Sequence, residues 1–144
     1  ADVSVMSETA KITDGHVKLG VGAGDHAAII WPILCGMAKA KYYLMTADFI
    51  DGVTAERIGL VSLCKPQDEV LPAAMKIADQ LAAGSQPAIR GTKQTLNGWM
   101  AQAAPIFENS LRMEMQCFLG DDAKEGVNAM REKRAANFPS SKSD

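Results

Sequence analysis

The strongest constraint on the fold is the contrast between the two parts of the chain. Beyond residue 68 the sequence is a nearly continuous series of amphipathic helical patterns, whereas the earlier part mixes short strand-like runs with helical patterns. The predicted helices of the later part are 69–83, 86–101, 105–119 and 123–135. The strand-like runs are Val3–Ser7, His16–Leu19 and Leu60–Cys64. So few short strands leave open edges, so the chain is expected to need further protein or an oligomer partner.

A glycine-rich stretch, residues 20–24, separates the first two strand-like runs from the first helices. Asp25 is the predicted N-cap of a helix that Pro32 ends or kinks, and a second helix is predicted at Met37–Ala47. The glycine spacing fits neither the dinucleotide fingerprint nor the P-loop. The stretch is therefore interpreted as a tight turn or as an active-site wall where a substrate approaches the backbone.

Charge and cysteine content exclude several function classes. Fifteen Lys and Arg oppose seventeen Asp and Glu, for a net charge of −2, so no nucleic-acid partner is expected. No apolar stretch reaches the roughly 18 residues of a membrane span, so no membrane partner is expected. The three cysteines lack metal-ligand spacing and are predicted to be buried reduced thiols of a cytoplasmic protein. With only two histidines besides, no metal site is predicted.

Few side chains are candidates for acid–base chemistry. His16 has an ordinary pKa near neutrality and suits a catalytic acid or base, or else it is an exposed histidine at a strand end. Asp25 is either a plain N-cap or a general acid or base at the mouth of a pocket. Lys133 and Arg134 are either a solvated helix end or ligands for an anion such as a phosphate.

Five stretches taken together resemble the enoyl-CoA hydratase/isomerase (crotonase) superfamily. The segment most typical of that family is A-x-x-x-G-L-V, present at Ala55–Val61. Its terminal pattern, D-x-x-E-G-x-x-A-F-x-E-K-R-x-P-x-F, is matched at residues 122–138, with Met130 for the Phe and Ala136 for the Pro. The other matching stretches are 19–32, 37–48 and 88–97.

The resemblance implies an α/β fold: the mostly helical C-terminal part of a ClpP/crotonase-like fold. Residues 1–65 are expected to be the last short strands of the spiral core, and residues 66–144 the helical trimerisation region. In complete family members the oxyanion-hole amides and the first catalytic carboxylate precede the stretch matched here. The chain by itself is therefore expected to be inactive, because losing even one oxyanion donor typically costs roughly 100- to 1000-fold in rate.

The same resemblance implies roles for individual residues. His16 falls where hydratases have their second catalytic Glu, and Asp25 lies near the catalytic Asp of dehalogenase-like and dienoyl-isomerase-like members. Gly24 is expected at the substrate, and Phe118 and Lys133 at the coenzyme A. No cofactor is expected, since coenzyme A enters as the acyl thioester substrate.

The leading hypothesis is an acyl-CoA-processing enzyme, an enoyl-CoA hydratase/isomerase of fatty acid metabolism that is cytoplasmic and forms trimers or dimers of trimers. Because His16 replaces a Glu, a superfamily thioester hydrolase, dehalogenase or isomerase is an alternative. A non-catalytic helical oligomerisation module is the other.

Overall fold

The computed structural model describes residues 1–142, which contain four short β-strands and six α-helices. The strands are β1 (Val5–Ser7), β2 (Lys11–Ile12), β3 (Ile50–Asp51) and β4 (Leu63–Lys65). The helices are α1 (Ala27–Thr46), α2 (Gly52–Arg57), α3 (Val70–Ala83), α4 (Gln86–Ala101), α5 (Ala104–Phe118) and α6 (Asp121–Arg131). Unit 1 comprises Ala1–Ile12 and Phe49–Ala103, and unit 2 comprises Thr13–Asp48 and Ala104–Asp144. Each compact unit is thus built from two separate stretches of chain. The division at residue 65 that the resemblance implies stays a prediction.

Unit 1 is held together by two small strand pairings. β1 lies parallel to β4, with Met6 opposite Cys64, and β2 lies antiparallel to β3, with Ile12 opposite Ile50. α2 follows β3 directly, because the Asp51 carboxylate accepts the Thr54 N–H at 2.7 Å and caps the helix. α2 therefore begins immediately after β3 ends.

The core of unit 1 is small. It contains Met6, Ile50, Ala55 and Leu60, of which Ile50 is 1% exposed. Large apolar side chains on its two long helices remain exposed; they include Leu71, Met75, Leu96 and Trp99. The apolar faces predicted for these helices thus exist, and the described residues do not cover them.

α1 combines the two helices that the sequence predicts. Gly36, at φ 78° and ψ 157°, breaks the helical backbone between them, a conformation that glycine adopts without a steric penalty. Pro32 lies inside the first part and does not end it. Ala40 and Leu44 of the second part pack with Ala27 to form a buried cluster in unit 2.

The predicted strand at His16–Leu19 is wrong, because these residues form a 3-10 turn. Gly20 closes the turn at φ 75° and donates its N–H to the Val17 carbonyl. α6 packs tightly against this turn, since a Cβ on Gly126 would lie 2.4 Å from the Leu19 carbonyl oxygen. The turn is therefore fixed in place by α6, and with it the position of His16.

The burial of the three cysteines differs from the prediction, and the helices agree with the absence of a membrane-spanning stretch in the sequence. Cys35, Cys64 and Cys117 are free thiols, as expected, although each is half-buried where full burial was predicted. Among residues 1–142, none of the helices has the length and apolar character needed to cross a membrane.

Candidate active site

Three carboxylates surround the imidazole of His16 in unit 2. The His16 Nδ1 atom lies 2.7 Å from Asp14 Oδ1. On the other side of the ring, Nε2 lies 3.6 Å from Glu114 Oε1 and 4.0 Å from Asp25 Oδ2. The cluster joins the start of the 3-10 turn, the segment before α1 and the middle of α5.

Asp14 sets the orientation of the His16 ring. Its Oδ1 accepts hydrogen bonds from the backbone N–H of His16, at 3.2 Å, and from Nδ1 of the ring. This local loop arrangement is typical of an Asp two residues before the amide it caps. Because Nδ1 is engaged with a buried carboxylate, Nε2 is the ring nitrogen left to exchange protons.

Glu114 is the buried residue of α5, with its side chain 9% exposed. The helix approaches closely because Gly24 lacks a side chain: a Cβ there would lie 2.4 Å from Glu114 Cβ and from the Ser110 carbonyl oxygen. Ser110 Oγ also donates to the Gly24 carbonyl at 2.7 Å, which ties the segment before α1 to α5. Gly24 thus determines how near Glu114 comes to His16.

The surroundings of His16 act on its pKa in two directions. Partial burial lowers the pKa, because it disfavours the charged ring, and this is the largest single effect. The hydrogen bond to Asp14 and the negative charges of Asp14, Asp25 and Glu114 raise it, and together they prevail. The pKa of His16 is therefore raised above 6.5, which suits a group that gives and takes protons near neutrality.

Asp25 is the more solvent-accessible carboxylate of the cluster, with its side chain 40% exposed. One oxygen accepts the Ala27 N–H at 3.3 Å, but the N-cap position of α1 is His26, so the predicted N-cap is one residue too early. The other lies 3.2 Å from Nδ1 of His26, which is 70% exposed. Asp25 therefore bonds the first residue of α1 and also faces both histidines, and its role as a general acid or base stays a prediction.

The structure brings together three of the five residues predicted for the site. His16, Asp25 and Gly24 meet around α5, and His16 is half-buried in a turn instead of exposed at a strand end. Phe118 lies at the C-terminal end of α5 and Lys133 just beyond α6, and neither takes part in the ion pairs of His16. Their role at coenzyme A, like the catalytic role of the other residues, stays a prediction.

Sequence reasoning missed Asp14 and Glu114. Asp14 carries a local signal, since an Asp two residues before a His accepts its backbone amide. Glu114 carries none, because it stands between two methionines in a helix whose polar positions all read alike.

The cluster also has the composition of a possible cation site. Asp14, His16 and Asp25 each offer one ligand atom within 4.8 Å of the others. Direct hydrogen bonding accounts for the Asp14–His16 contact without an ion. That no metal binds to this cluster stays a prediction.

Beside the turn lies a cleft of about 550 Å³. Its lining is mostly apolar, with Leu19, Met130 and Phe138 among the contributing residues and Arg134 at the same surface. None of the four residues of the charged cluster lines it. The charged cluster and this apolar cleft are separate features of unit 2.

The sequence matches the family model described as enoyl-CoA hydratase/isomerase over residues 1–141. It is 36% identical over 141 residues to a crotonyl-CoA hydratase of Syntrophomonas wolfei, covering 95% of this chain and 53% of that protein. It is 30% identical over 131 residues to a short-chain-enoyl-CoA hydratase of Clostridioides difficile, covering 90% of this chain and 84% of that sequence. The chain spans about half the length of the first curated relatives it matches.

Solved structures show the same fold. An enoyl-CoA hydratase/isomerase from Pseudoalteromonas atlantica superposes with a TM-score of 0.86 at 22% identity, over 96% of this chain and 56% of that one. A carnitinyl-CoA dehydratase from Mycobacterium avium gives a TM-score of 0.88 at 22% identity, over the same shares, 96% and 56%. The predicted crotonase-type fold, in its mostly helical C-terminal part, is thereby confirmed. The chain belongs to the enoyl-CoA hydratase/isomerase family.

Proposed function

We propose that this chain is the C-terminal part of an enzyme that adds water to, or shifts the double bond of, an enoyl-CoA thioester. The observation that carries the proposal is the His16 cluster, an imidazole held among three carboxylates in a chain of this family. The relatives named as crotonyl-CoA and short-chain-enoyl-CoA hydratases support the substrate class.

His16 and Asp25 are the proposed acid–base pair. In hydration, one group removes a proton from water as the oxygen bonds to the β-carbon of the enoyl thioester. The other group gives a proton to the α-carbon, so the carbon–carbon double bond becomes a single bond as new C–O and C–H bonds form. The base ends protonated and the acid deprotonated, and proton exchange with solvent restores both groups. Such positioned proton transfer typically contributes about 100- to 10,000-fold to the rate.

Gly24, Phe118 and Lys133 are proposed to contact the substrate. Gly24 lies beside the acid–base pair, and Lys133 offers a cation suited to a coenzyme A phosphate. No cofactor beyond the thioester is required, because the reaction moves protons and water without a change of oxidation state. We place this activity in fatty acid metabolism in the cytoplasm.

A homo-oligomer, a trimer or a dimer of trimers, is the proposed assembly. It is supported by the large apolar side chains that stay exposed on α5, which include Ile106, Leu111, Met113, Met115 and Phe118. Several large apolar side chains exposed on one helix favour burial in a protein interface. Size-exclusion chromatography with light scattering tests the proposal, which a monodisperse monomer would contradict.

Thioester hydrolysis, dehalogenation or isomerisation is the alternative chemistry. His16 favours it, because an imidazole stands where the resemblance places the second Glu of hydratases. A panel of enoyl-CoA, acyl-CoA and haloacyl-CoA thioesters, incubated with the complete protein, separates the reactions by their products.

The deciding experiment replaces His16 by Gln and Asp25 by Asn in the complete protein. Each change is expected to lower kcat at least about 100-fold with the thioester that turns over fastest. The exposed His26 supplies the matched control, because His26→Gln removes an imidazole beside the same cluster. Wild-type rates for both site variants would refute the assignment, and no turnover of any thioester by the wild-type protein would favour the oligomerisation module.

A further inference from the structure

Glu114 is a buried charge that neither the sequence nor the family resemblance accounts for. Its side chain is 9% exposed, in the middle of a helix whose other residues are exposed apart from the half-buried Ser110 and Cys117. Its Oε2 atom is buried and has no hydrogen-bond partner among the described residues. Burying a carboxylate is costly unless a partner compensates its charge, so the position calls for a cation nearby.

The cation at hand is the imidazolium form of His16. Since Nδ1 of His16 is bonded to Asp14, a neutral ring would turn the lone pair of Nε2 toward Glu114 and Asp25. A lone pair facing two carboxylates is unfavourable, whereas an N–H at the same place is attracted to both. The geometry therefore matches a ring that carries protons on both nitrogens.

The two nearest carboxylates on the Nε2 side differ in their freedom to react. Glu114 is fixed by its burial against Gly24, whereas Asp25 is 40% exposed and touches the solvent-facing His26. The charged groups that act on His16 among the described residues are Asp14, Asp25 and Glu114, so these three govern its proton.

We infer that Glu114 is a positioning residue that keeps a proton on Nε2 of His16, so that His16 serves as the acid and Asp25 as the base. The inference rests on the proposed function, which it deepens by dividing the two roles. In the forward step the Nε2–H bond breaks and the proton passes to the α-carbon of the substrate, while the electron pair stays on Nε2. Asp25 meanwhile accepts the proton of the attacking water.

Two variants on α5 test the inference. Glu114→Gln removes the charge but keeps the shape of the side chain, and Glu108→Gln removes an exposed carboxylate from the same helix as a control. The His16 ring is followed by NMR as the pH is raised, with His26 as an internal reference and His16→Gln to assign the signal. Glu114→Gln is expected to move the titration of His16 to lower pH and to leave His26 unchanged, and Glu108→Gln to move neither.

Kinetics provide the second readout. Glu114→Gln is expected to lower kcat about tenfold with KM unchanged, and to move the alkaline limb of the pH–rate profile to lower pH. In a His16→Gln background the same change is expected to have no further effect, whereas a structural role would lower kcat in both backgrounds. The double-variant comparison remains decisive if Glu114→Gln is less stable.

The outcomes separate the two claims. An unchanged His16 titration in Glu114→Gln, together with normal turnover by the wild type, overturns the inference and leaves the proposed function standing. If the His16 titration shifts in Glu114→Gln but the wild type turns over no thioester, Glu114 does control the proton of His16, and the proposed function is refuted.

Discussion

Replacing Gly24 by Ala tests the contact on which the His16 cluster depends. The added Cβ would lie 2.4 Å from both Glu114 Cβ and the Ser110 carbonyl oxygen, closer than side-chain carbons approach in folded proteins. Backbone and a Cβ cannot rotate away, so α5 must shift. Overpacking of this kind typically costs about 1–3 kcal/mol.

Two further effects of Gly24→Ala have opposite signs. A shift of α5 weakens the 2.7 Å hydrogen bond from Ser110 to the Gly24 carbonyl, a loss of about 1 kcal/mol. Alanine restricts the unfolded chain more than glycine does and returns about 0.4–1 kcal/mol. The free energy of unfolding is therefore expected to fall by about 1–3 kcal/mol.

Gly22→Ala is the matched control, because a Cβ at Gly22 meets nothing within 4 Å. Urea unfolding followed by circular dichroism gives the free energy of unfolding of each variant. The displaced Glu114 is also expected to let the pKa of His16 fall, which NMR measures in the same samples. If both alanine variants unfold within about 0.5 kcal/mol of each other, the close approach of α5 to Gly24 is refuted.

Three other changes have expected outcomes. The raised pKa of His16 stabilises the fold below about pH 6.5, and this contribution is lost as the pH rises through the folded-state pKa. The difference in free energy of unfolding between wild type and His16→Asn, measured by urea unfolding, should therefore shrink as the pH rises. Arg134, with the Asn137 amide, holds the pKa of Glu125 at about 2, so Glu125→Gln should destabilise the chain at neutral pH. In thermal melts, the difference in stability between wild type and variant should vanish as the pH falls from 4.5 towards 2. Lys133 adopts φ 53° at the end of α6, so Lys133→Gly should stabilise the fold by about 0.5–1 kcal/mol in urea while weakening coenzyme A binding in calorimetry.

The long helices were predictable because their apolar residues repeat over several turns. α4 begins and ends at the predicted residues, with Pro87 at its start, where a missing N–H does no harm. The 3-10 turn at His16–Leu19 was not predictable, because four alternating residues fit a strand and a 3-10 turn equally well. Packing against Gly126 of α6 decides between them, and that contact lies far away in sequence.

The candidate site was predictable in part for the same reason. His16 and Asp25 stand out by residue type and by the family pattern around them. The partner of His16 on α5, Glu114, has no local sequence signal, because it is buried only through the close approach of α5 to Gly24. When a site combines residues from distant segments, the pattern of any one segment therefore predicts only part of it.

The alternation of chain segments between the two units has a consequence for synthesis. Asp14, His16 and Asp25 emerge from the ribosome about a hundred residues before Glu114. At roughly 5–20 residues per second, the histidine spends about 5–20 s without Glu114, its third carboxylate neighbour. During that interval the carboxylates near it lie in water, and the charge arrangement of the site is completed only when α5 has been made.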